Sequence, residues 1–260
     1  MPMKVAVAGA DGKMGRALIE AVLADGSLTL AAALDAPASP AIGTAVGGVR
    51  VTTDVQAAVS AAEVFIDFTR PAGTLAHLDA CVAGGKSMVI GTTGFSEAER
   101  DVIRSAAKRI PIVMAPNFAV GVNVVFKLAE TAARILGDTY DVEIVEAHHR
   151  HKADAPSGTA LKLGEVIATA LNRNLGDVAA HGRMGDVGAG PAKQIGFHAI
   201  RGGDIVGEHT VIFAGTGERV EVTVRSQSRA TYAFGALRAA KFVRGKTSGL
   251  YDMQDVLDLK

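Results

Sequence analysis

A short basic segment in the middle of the chain carries the side chains best suited to chemistry. His148, His149, Arg150, His151 and Lys152 follow one another directly. An imidazole exchanges protons near neutral pH, and cations stabilise negative charge that develops during a reaction. The 27 Lys and Arg balance the 27 Asp and Glu over 260 residues, so this positive charge is a local feature. We therefore expect an anion to bind here.

A helix is expected to begin just after this segment. Ser157 is a good N-cap residue, and Gly158 and Thr159 would form the first turn. Backbone N–H groups in a first turn bind carboxylates well, so the combination with nearby cations suits a dicarboxylate. A metal site and a solvated basic turn are the alternatives. We expect no metal, because the segment has neither cysteine nor nearby paired carboxylates.

A glycine-rich loop near the start of the chain is the second chemical feature. Gly9, Gly12 and Gly15 form a GxxGxxG pattern between a predicted strand at 4–8 and a predicted helix at 14–24. Glycines let backbone N–H groups approach a pyrophosphate, and the helix N-terminus adds a positive dipole end. A tight structural turn is the alternative. We expect a dinucleotide to contact Gly9, Ala10, Asp11, Gly12, Lys13, Met14 and Gly15.

Asp35 ends the next predicted strand, twenty residues after Gly15. A carboxylate at this position accepts hydrogen bonds from the adenosine ribose hydroxyls and repels a 2′-phosphate. Ala36 offers no cation for that phosphate, so we expect NADH to be preferred. Lys13 could reach a phosphate from the loop, which keeps NADPH as the alternative; a solvated strand end is the structural alternative for Asp35.

Three further segments end predicted strands on one edge of the expected sheet, at 67–69, 91–94 and 115–118. Open parallel sheets bind ligands at the carboxyl ends of their strands. Each segment alone could be an ordinary loop. Together they predict contacts to ribose and nicotinamide from Phe68, Thr69, Gly91, Thr92, Thr93, Ala115, Pro116, Asn117 and Phe118.

The elements that must position these residues fall into two groups. The first half alternates strands with helices, which predicts a Rossmann-type doubly wound parallel sheet of the α/β class. Ser96 with Glu99 predicts a capping box at one helix start. Its predicted strands lie at 4–8, 28–34, 64–68, 87–90 and 112–115, and its helices at 14–24, at 74–83 and after Ser96.

The second half predicts a smaller α+β domain with an open mixed sheet. Open sheet faces often form subunit interfaces, so we expect an oligomer. A final helix at 234–243 should return to the first core. We therefore expect a dinucleotide-binding domain at 1–118 and 230–260, and a substrate-binding and oligomerisation domain at 119–229. The predicted elements of the second half are helices at 124–136 and 158–171 and strands at 142–147, 194–200, 209–214 and 219–226.

Bulk properties exclude several classes of protein. The chain has no excess of basic residues, which argues against nucleic acid binding. No apolar run reaches membrane-spanning length. The start of the chain shows no signal-peptide pattern, so we expect a cytoplasmic location. Cys81 is the single cysteine, which excludes an internal disulfide; its apolar neighbours predict a buried, unreactive side chain.

The segment from Glu146 to Ala160 resembles the signature of the 4-hydroxy-tetrahydrodipicolinate reductase family, formerly called dihydrodipicolinate reductase. The glycine loop, the three strand-end segments and Gly121–Asn123 also resemble this family in order, so the resemblance covers essentially the whole chain. It implies NAD(P)H-dependent reduction of a cyclic hydroxy-imine dicarboxylate to tetrahydrodipicolinate with loss of water, in the diaminopimelate route to lysine, by a homotetramer.

The resemblance also implies residue roles. His148 matches the general acid/base, and Lys152 matches a proton donor that faces the substrate. His149, Gly158 and Thr159 match contacts to the substrate carboxylates. Ser157, at the cap position, is a further candidate for substrate binding. The chain departs from several members at Ala36, where they carry an arginine, which puts dual cofactor use in doubt.

Two other functions agree with only part of the sequence. An aldehyde dehydrogenase would need a nucleophilic cysteine, and Cys81 lies in a poor setting for one. A nucleotide-sensing protein without catalysis would need the glycine loop but not the histidine and lysine segment. The presence of both features favours the reductase.

Overall fold

The computed structural model describes all 260 residues, which form thirteen strands and nine α-helices. The strands are β1 (Met3–Ala8), β2 (Leu28–Leu34), β3 (Ala45–Val46), β4 (Val49–Thr52), β5 (Val64–Asp67), β6 (Ser87–Ile90), β7 (Pro111–Met114), β8 (Asp141–His148), β9 (Ala179–His181), β10 (Ile195–Arg201), β11 (Gly207–Ala214), β12 (Arg219–Ser226) and β13 (Gly249–Tyr251). The helices are α1 (Lys13–Ala24), α2 (Val55–Ala61), α3 (Pro71–Gly84), α4 (Glu97–Ala106), α5 (Val120–Leu136), α6 (Gly158–Ala170), α7 (Leu175–Val178), α8 (Ala230–Val243) and α9 (Met253–Leu257).

These elements form two compact units. The first comprises Met1–Val120 and Arg229–Lys260, and the second comprises Gly121–Ser228. The first unit contains an eight-stranded sheet in the order β13-β7-β6-β5-β1-β2-β4-β3. Every neighbouring pair in it is parallel except β3 with β4. The predicted α/β class with a doubly wound parallel sheet is confirmed.

Burial on both faces explains why the strands of this sheet read as continuous apolar runs. Along β1, Val5 and Val7 enter a core shared with α1 and α8, whereas Ala6 and Ala8 enter a second core shared with α2, α3 and α4. The alternation follows from the two-residue period of a strand. Because all the central strands run the same way, their carboxyl ends share one edge.

The second unit contains a five-stranded mixed sheet in the order β12-β11-β8-β10-β9. β10 runs parallel to β8 and β9, whereas β11 runs antiparallel to β8 and β12. α6 packs against β8, β10 and β11. Residues of β11 alternate between buried and partly exposed, so one face is covered and the other is open, as predicted.

Most predicted elements are found with shifted ends, and a few were missed. The strand predicted at 64–68 ends at Asp67, which leaves Phe68 in the following loop. The helix predicted from Thr74 begins at Pro71, because proline is pre-organised for a first helical turn. The capping box of Ser96 and Glu99 is confirmed. Short elements with little apolar pattern were not predicted: β3, β4, β9, β13, α2, α7 and α9.

No helix combines the length and the apolar character that crossing a membrane requires.

Candidate active site

The basic segment begins at the carboxyl end of β8, where two ionisable side chains face the covered side of the sheet. Glu146 and His148 lie two residues apart and therefore point the same way. Glu146 is 1% exposed and His148 is 9% exposed. Arg201, at the end of the neighbouring β10, lies opposite His148 in the strand register. The sheet thus brings a carboxylate, an imidazole and a guanidinium together.

Glu146 is the hub of this group. Its Oε2 atom lies 2.6 Å from Nδ1 of His148. Arg201 donates from one guanidinium nitrogen to Oε2 at 2.7 Å and from the other to Oε1 at 2.6 Å. The backbone N–H of Ser157 also donates to Oε1, at 3.1 Å. A buried carboxylate with this many donors holds its neighbours in a fixed geometry.

The network sets the charge states of its members. Burial alone would raise the pKa of Glu146, but the hydrogen bonds from Arg201 and His148 outweigh it and leave this pKa below its usual value. Burial lowers the pKa of His148, opposed in part by Glu146 and reinforced by the charges of Lys152 and Arg201. His148 is therefore mainly neutral at neutral pH. Since the ionised Glu146 can only accept, Nδ1 carries the proton and Nε2 keeps its lone pair.

The loop after this strand leads into α6 through a capped turn. The Ser157 hydroxyl accepts a hydrogen bond from the Ala160 N–H at 3.1 Å, which confirms the predicted N-cap. The same hydroxyl lies 2.9 Å from Nε2 of His209, which is 4% exposed. Burial, reinforced by the charges of His148 and Lys152, lowers the pKa of His209 to about 4, so its ring is neutral at neutral pH.

The first turn of α6 is open to an approaching ligand. A Cβ atom built on Gly158 would meet no other atom within 4 Å. Gly158 is exposed and Thr159 is half-buried. Their backbone N–H groups belong to the N-terminus of a helix of 13 residues, where an anion is favoured.

The positive charge of the segment is smaller than the sequence indicates. We expected the cations to repel one another unless an external anion was present, with no paired carboxylate nearby. Instead, Lys152 Nζ lies 2.9 Å from Oδ1 of Asp154, and the lowered pKa of His148 leaves that ring mainly neutral. One carboxylate of the loop itself therefore balances part of the charge, and the binding of an external anion stays a prediction.

The other histidines of the segment lie beside this group. His149 is half-buried, and its Nδ1 atom is buried without a hydrogen-bond partner. Its ring centroid lies 6.3 Å from that of His151, which is exposed. A buried imidazole nitrogen without a partner costs free energy, so His149 has bonding capacity available for a ligand.

In the first unit, the glycine loop connects β1 to α1 as predicted. Gly9 has a φ of 73°, a conformation that favours glycine. A Cβ atom at Gly15 would lie 1.9 Å from the Gly9 carbonyl oxygen, so no side chain fits there. Gly12 and Lys13 are exposed at the start of α1, whereas Ala10 and Gly15 are buried and Asp11 and Met14 are half-buried.

Asp35 lies against this loop, immediately after β2. Its Oδ2 atom accepts a hydrogen bond from the Asp11 N–H at 2.7 Å, and its Oδ1 atom accepts one from the Ala36 N–H at 2.7 Å. Asp11 in turn holds Arg16, whose guanidinium lies 2.5 Å from its carboxylate. The Asp35 carboxylate therefore lies against the backbone of the loop at Asp11, and the nearby Arg16 is already paired.

The predicted strand-end residues meet on one edge of the first sheet. Phe68 packs against Phe118, with ring centroids 5.3 Å apart. A Cβ atom at Gly91 would lie 2.1 Å from the Phe68 ring, so only glycine allows this approach. Asn117 accepts a hydrogen bond from the Ala119 N–H at 2.8 Å. Of the other residues, Thr92 and Ala115 are buried, Thr69 is half-buried, and Thr93 and Pro116 are exposed.

Sequence reasoning did not assign a role to several residues of these sites. Glu146, Arg201 and His209 organise the second unit, and the buried Asp67 with His77 joins strand ends of the first. The signal for Glu146 is present in the sequence, since Glu146 and His148 continue the two-residue period of the apolar Val142 and Ile144 on the buried face of β8. Arg201 and His209 gave no such signal, because strand pairing alone brings them close.

Cys81 is fully buried, as predicted. Burial, with the negative charge of Asp67, raises the pKa of its thiol to about 12. A thiol that does not ionise near neutral pH is a poor nucleophile, which removes support for the aldehyde dehydrogenase alternative.

Comparison with known proteins gives matches along almost the full length. Residues 3–118 match the family model for the dihydrodipicolinate reductase N-terminus, and residues 121–257 match the model for its C-terminus. The 4-hydroxy-tetrahydrodipicolinate reductase of Aromatoleum aromaticum is 58% identical, over 100% of this chain and 97% of the relative. The enzyme of the same name from Thiobacillus denitrificans is 56% identical over 100% of both chains.

A solved structure also resembles this chain. The dipicolinate-bound dihydrodipicolinate reductase from Paenisporosarcina sp. TG-14 superposes with a TM-score of 0.80 at 26% identity, and the match covers 98% of this chain and 99% of that one.

Proposed function

The chain belongs to the dihydrodipicolinate reductase family, whose reaction is the reduction of 4-hydroxy-tetrahydrodipicolinate, and we propose that it carries out this reaction with His148 and Lys152 as its catalytic residues. The observation that carries the proposal is the placement of His148, oriented through Nδ1 by Glu146, next to a lysine and the open first turn of α6. In this role the chain would serve lysine and diaminopimelate biosynthesis in the cytoplasm.

The reaction takes up one hydride and one proton and releases one water. When bound, a reduced nicotinamide supplies the hydride. The protein supplies the proton path: Lys152 donates from its ammonium group, and the neutral His148 exchanges a proton at Nε2. Because Glu146 fixes Nδ1 as the protonated nitrogen, the lone pair of Nε2 stays available for this exchange.

The substrate of this reaction carries two carboxylates, and we assign them to the start of α6 and its surroundings. One would accept hydrogen bonds from the N–H groups of Gly158 and Thr159, where the helix dipole favours an anion. His149 and Lys152 would contact the substrate from the preceding loop. Ser157 fixes the turn through its cap. The dipicolinate named with the related structure is a dicarboxylate of the same kind.

The first unit is a nucleotide-binding Rossmann domain, and we propose that NAD(P)H binds its glycine loop and strand ends. The close approach at Gly15 and the positive φ of Gly9 fit a loop whose backbone faces a pyrophosphate. We further propose that NADH is preferred. The carboxylates of Asp35 and Asp11 repel a 2′-phosphate. Arg16 is paired with Asp11, so Lys13 is the remaining cation of the glycine loop that could contact this phosphate.

The catalytic roles are tested by His148→Ala and Lys152→Ala. Each should lower kcat by about 100-fold or more, the usual contribution of a positioned acid or base, with the Kd of NADH nearly unchanged. Lys162→Ala, an exposed lysine on α6, is the matched control. Turnover at the wild-type rate in both variants would disprove the assignment.

The cofactor preference is tested by kcat/KM with NADH and with NADPH. We expect the wild type to favour NADH, and Ala36→Arg to raise kcat/KM for NADPH by about tenfold through a charge-assisted phosphate contact. A wild type that clearly favours NADPH would show that the carboxylates of Asp35 and Asp11 do not determine the preference.

The open face of the second sheet supports a homotetramer. Val145, Thr210 and Ile212 lie on this face and are partly exposed. Ile212→Asp should lower the mass measured by light scattering, because a buried charge at an interface is costly. Ile135→Asp on α5, where the isoleucine is 78% exposed, is the control. An unchanged mass for Ile212→Asp would contradict assembly through this face.

A further inference from the structure

A fully buried carboxylate lies at the centre of the strand ends in the first unit. Asp67 is 0% exposed and is the last residue of β5. Its Oδ1 atom accepts hydrogen bonds from the backbone N–H of Thr69 at 2.8 Å and from the Thr69 hydroxyl at 2.7 Å. Asp67 thereby fixes both the backbone and the side chain of the loop that follows it.

The same oxygen reaches a second loop. The Thr74 hydroxyl lies 3.2 Å from Oδ1 of Asp67 and 2.8 Å from the Thr92 hydroxyl, which itself lies 3.4 Å from Oδ1. The Asp67 carbonyl also accepts a hydrogen bond from the Gly91 N–H at 2.8 Å. The loops after β5 and β6 are therefore tied to one carboxylate.

His77 completes the group from α3. Its Nδ1 atom lies 2.6 Å from Oδ2 of Asp67, and its side chain is 15% exposed. Its ring packs on Phe65, with centroids 5.2 Å apart. His77 is the only histidine, lysine or arginine within ion-pairing distance of Asp67, and a buried carboxylate needs its donors to remain in place.

We propose that the Asp67–His77 pair positions the cofactor-binding loops after β5 and β6. His77 orients the carboxylate through Oδ2, so that Oδ1 holds Thr69 and Thr92 at a fixed separation. The inference rests on the proposed role of these two loops in binding the nicotinamide cofactor. His77 acts through Asp67 and does not itself touch the substrate or the cofactor. A pre-organised loop binds with less loss of conformational entropy, so the pair should affect cofactor affinity more than the chemical step.

The test replaces His77 and measures NADH binding without turnover, by the fluorescence of the reduced nicotinamide. His77→Leu removes the donor and should raise the Kd of NADH by about tenfold, in line with the loss of a charge-assisted hydrogen bond. The KM of NADH should rise equally, whereas kcat should stay within about twofold and the KM of the substrate should not change. His77→Asn places an amide N–H near the position of Nδ1 and should restore most of the affinity. Asp79→Asn, exposed on the same helix, is the control.

The outcomes separate the inference from the proposed function. If His77→Leu is folded and binds NADH like the wild type, or if it loses kcat and NADH affinity is retained, the positioning role is wrong. If His77→Leu does not fold, His77→Gln, whose amide reproduces the position of Nε2 and not that of Nδ1, replaces it: a Kd of NADH about tenfold higher than that of His77→Asn supports the role, and equal values contradict it. A wild type that binds neither NADH nor NADPH would refute the proposed function and this inference with it, whereas wild-type binding with an unaffected Leu variant refutes only the inference.

Discussion

Asp67 in the first unit and Glu146 in the second are buried carboxylates that organise their surroundings in different ways. Each lies at or near the carboxyl end of a central strand and is almost inaccessible, at 0% and 1% exposure. Each has a histidine Nδ1 atom 2.6 Å from one oxygen. Both also accept from one backbone N–H, but their remaining partners differ: Glu146 is paired with the guanidinium of Arg201, whereas Asp67 is surrounded by threonine hydroxyls.

This difference agrees with the roles proposed for the two units, cofactor binding in the first and proton transfer in the second. A guanidinium beside Glu146 keeps that carboxylate ionised, and the ionised carboxylate determines which nitrogen of His148 carries a proton. Hydroxyl donors around Asp67 instead fix distances between loops. We therefore expect changes at the Glu146 centre to act on stability and kcat, and changes at the Asp67 centre to act on cofactor affinity.

The largest effect is expected from Arg201→Leu. It would leave Glu146 buried with His148 as its only ionisable partner, and breaking a buried ion pair from one side costs about 3–5 kcal/mol of unfolding free energy. Urea denaturation measures this loss. Arg219→Leu, which removes a 71% exposed arginine from β12, should cost about 1 kcal/mol or less. Equal stabilities for the two variants would mean that Arg201 does not compensate Glu146.

Glu146→Gln should reduce kcat on the order of 100-fold, a typical size for a misplaced acid or base. The amide N–H can donate to Nδ1 of His148 and would favour the tautomer whose Nε2 already carries a proton. Loss of the negative charge also lowers the pKa of His148 further, since Glu146 raises it in the wild type.

The pH profile of kcat/KM measures this change in the pKa of His148. The neutral ring is the proton acceptor, so wild-type activity should rise with pH through a pKa below the ordinary histidine value, and the remaining activity of Glu146→Gln should rise at a still lower pH. Glu143→Gln, on the same strand but outside this network, is the control. An unshifted profile for Glu146→Gln would contradict the coupling.

His209 should make the second centre sensitive to acid. Its pKa is about 4 in the folded protein against the ordinary 6.5, so the unfolded state binds a proton that the folded state excludes between these values. Stability is therefore lost as pH falls from 6.5 towards 4, by about 2 kcal/mol at pH 5 relative to pH 7. Urea denaturation at both pH values tests this. His209→Gln keeps an amide as a hydrogen-bond partner for Ser157 and should reduce the difference; an equal difference in that variant would assign the acid sensitivity to other groups.

The two centres also show how much of the structure can be predicted from the sequence. Strand and helix alternation predicts the parallel sheet because its strands are apolar on both faces, and the cap at Ser157 is local enough to read directly. The partners of Glu146 cannot be read in this way, since Arg201 is 55 residues away in sequence and strand pairing alone brings it close. Asp67 stands at the end of an apolar run, which marks it as unusual, but its link to Thr92 depends on how two parallel strands align.

The smallest effect is expected from Thr74→Val, which removes one hydroxyl and keeps the shape of the side chain. Thr74 is fully buried, and its hydroxyl connects Thr92 to Asp67. Its loss should cost about 1 kcal/mol of unfolding free energy and weaken NADH binding by about fivefold or less, because Thr69 still holds its own loop. The KM of the substrate and kcat should not change, since the hydroxyl belongs to the centre that fixes loop distances. Titration of NADH fluorescence measures the affinity for NADH, and steady-state kinetics measures kcat and the KM of the substrate. A fall in kcat with unchanged NADH affinity would show that the Asp67 centre, like the Glu146 centre, acts on the chemical step.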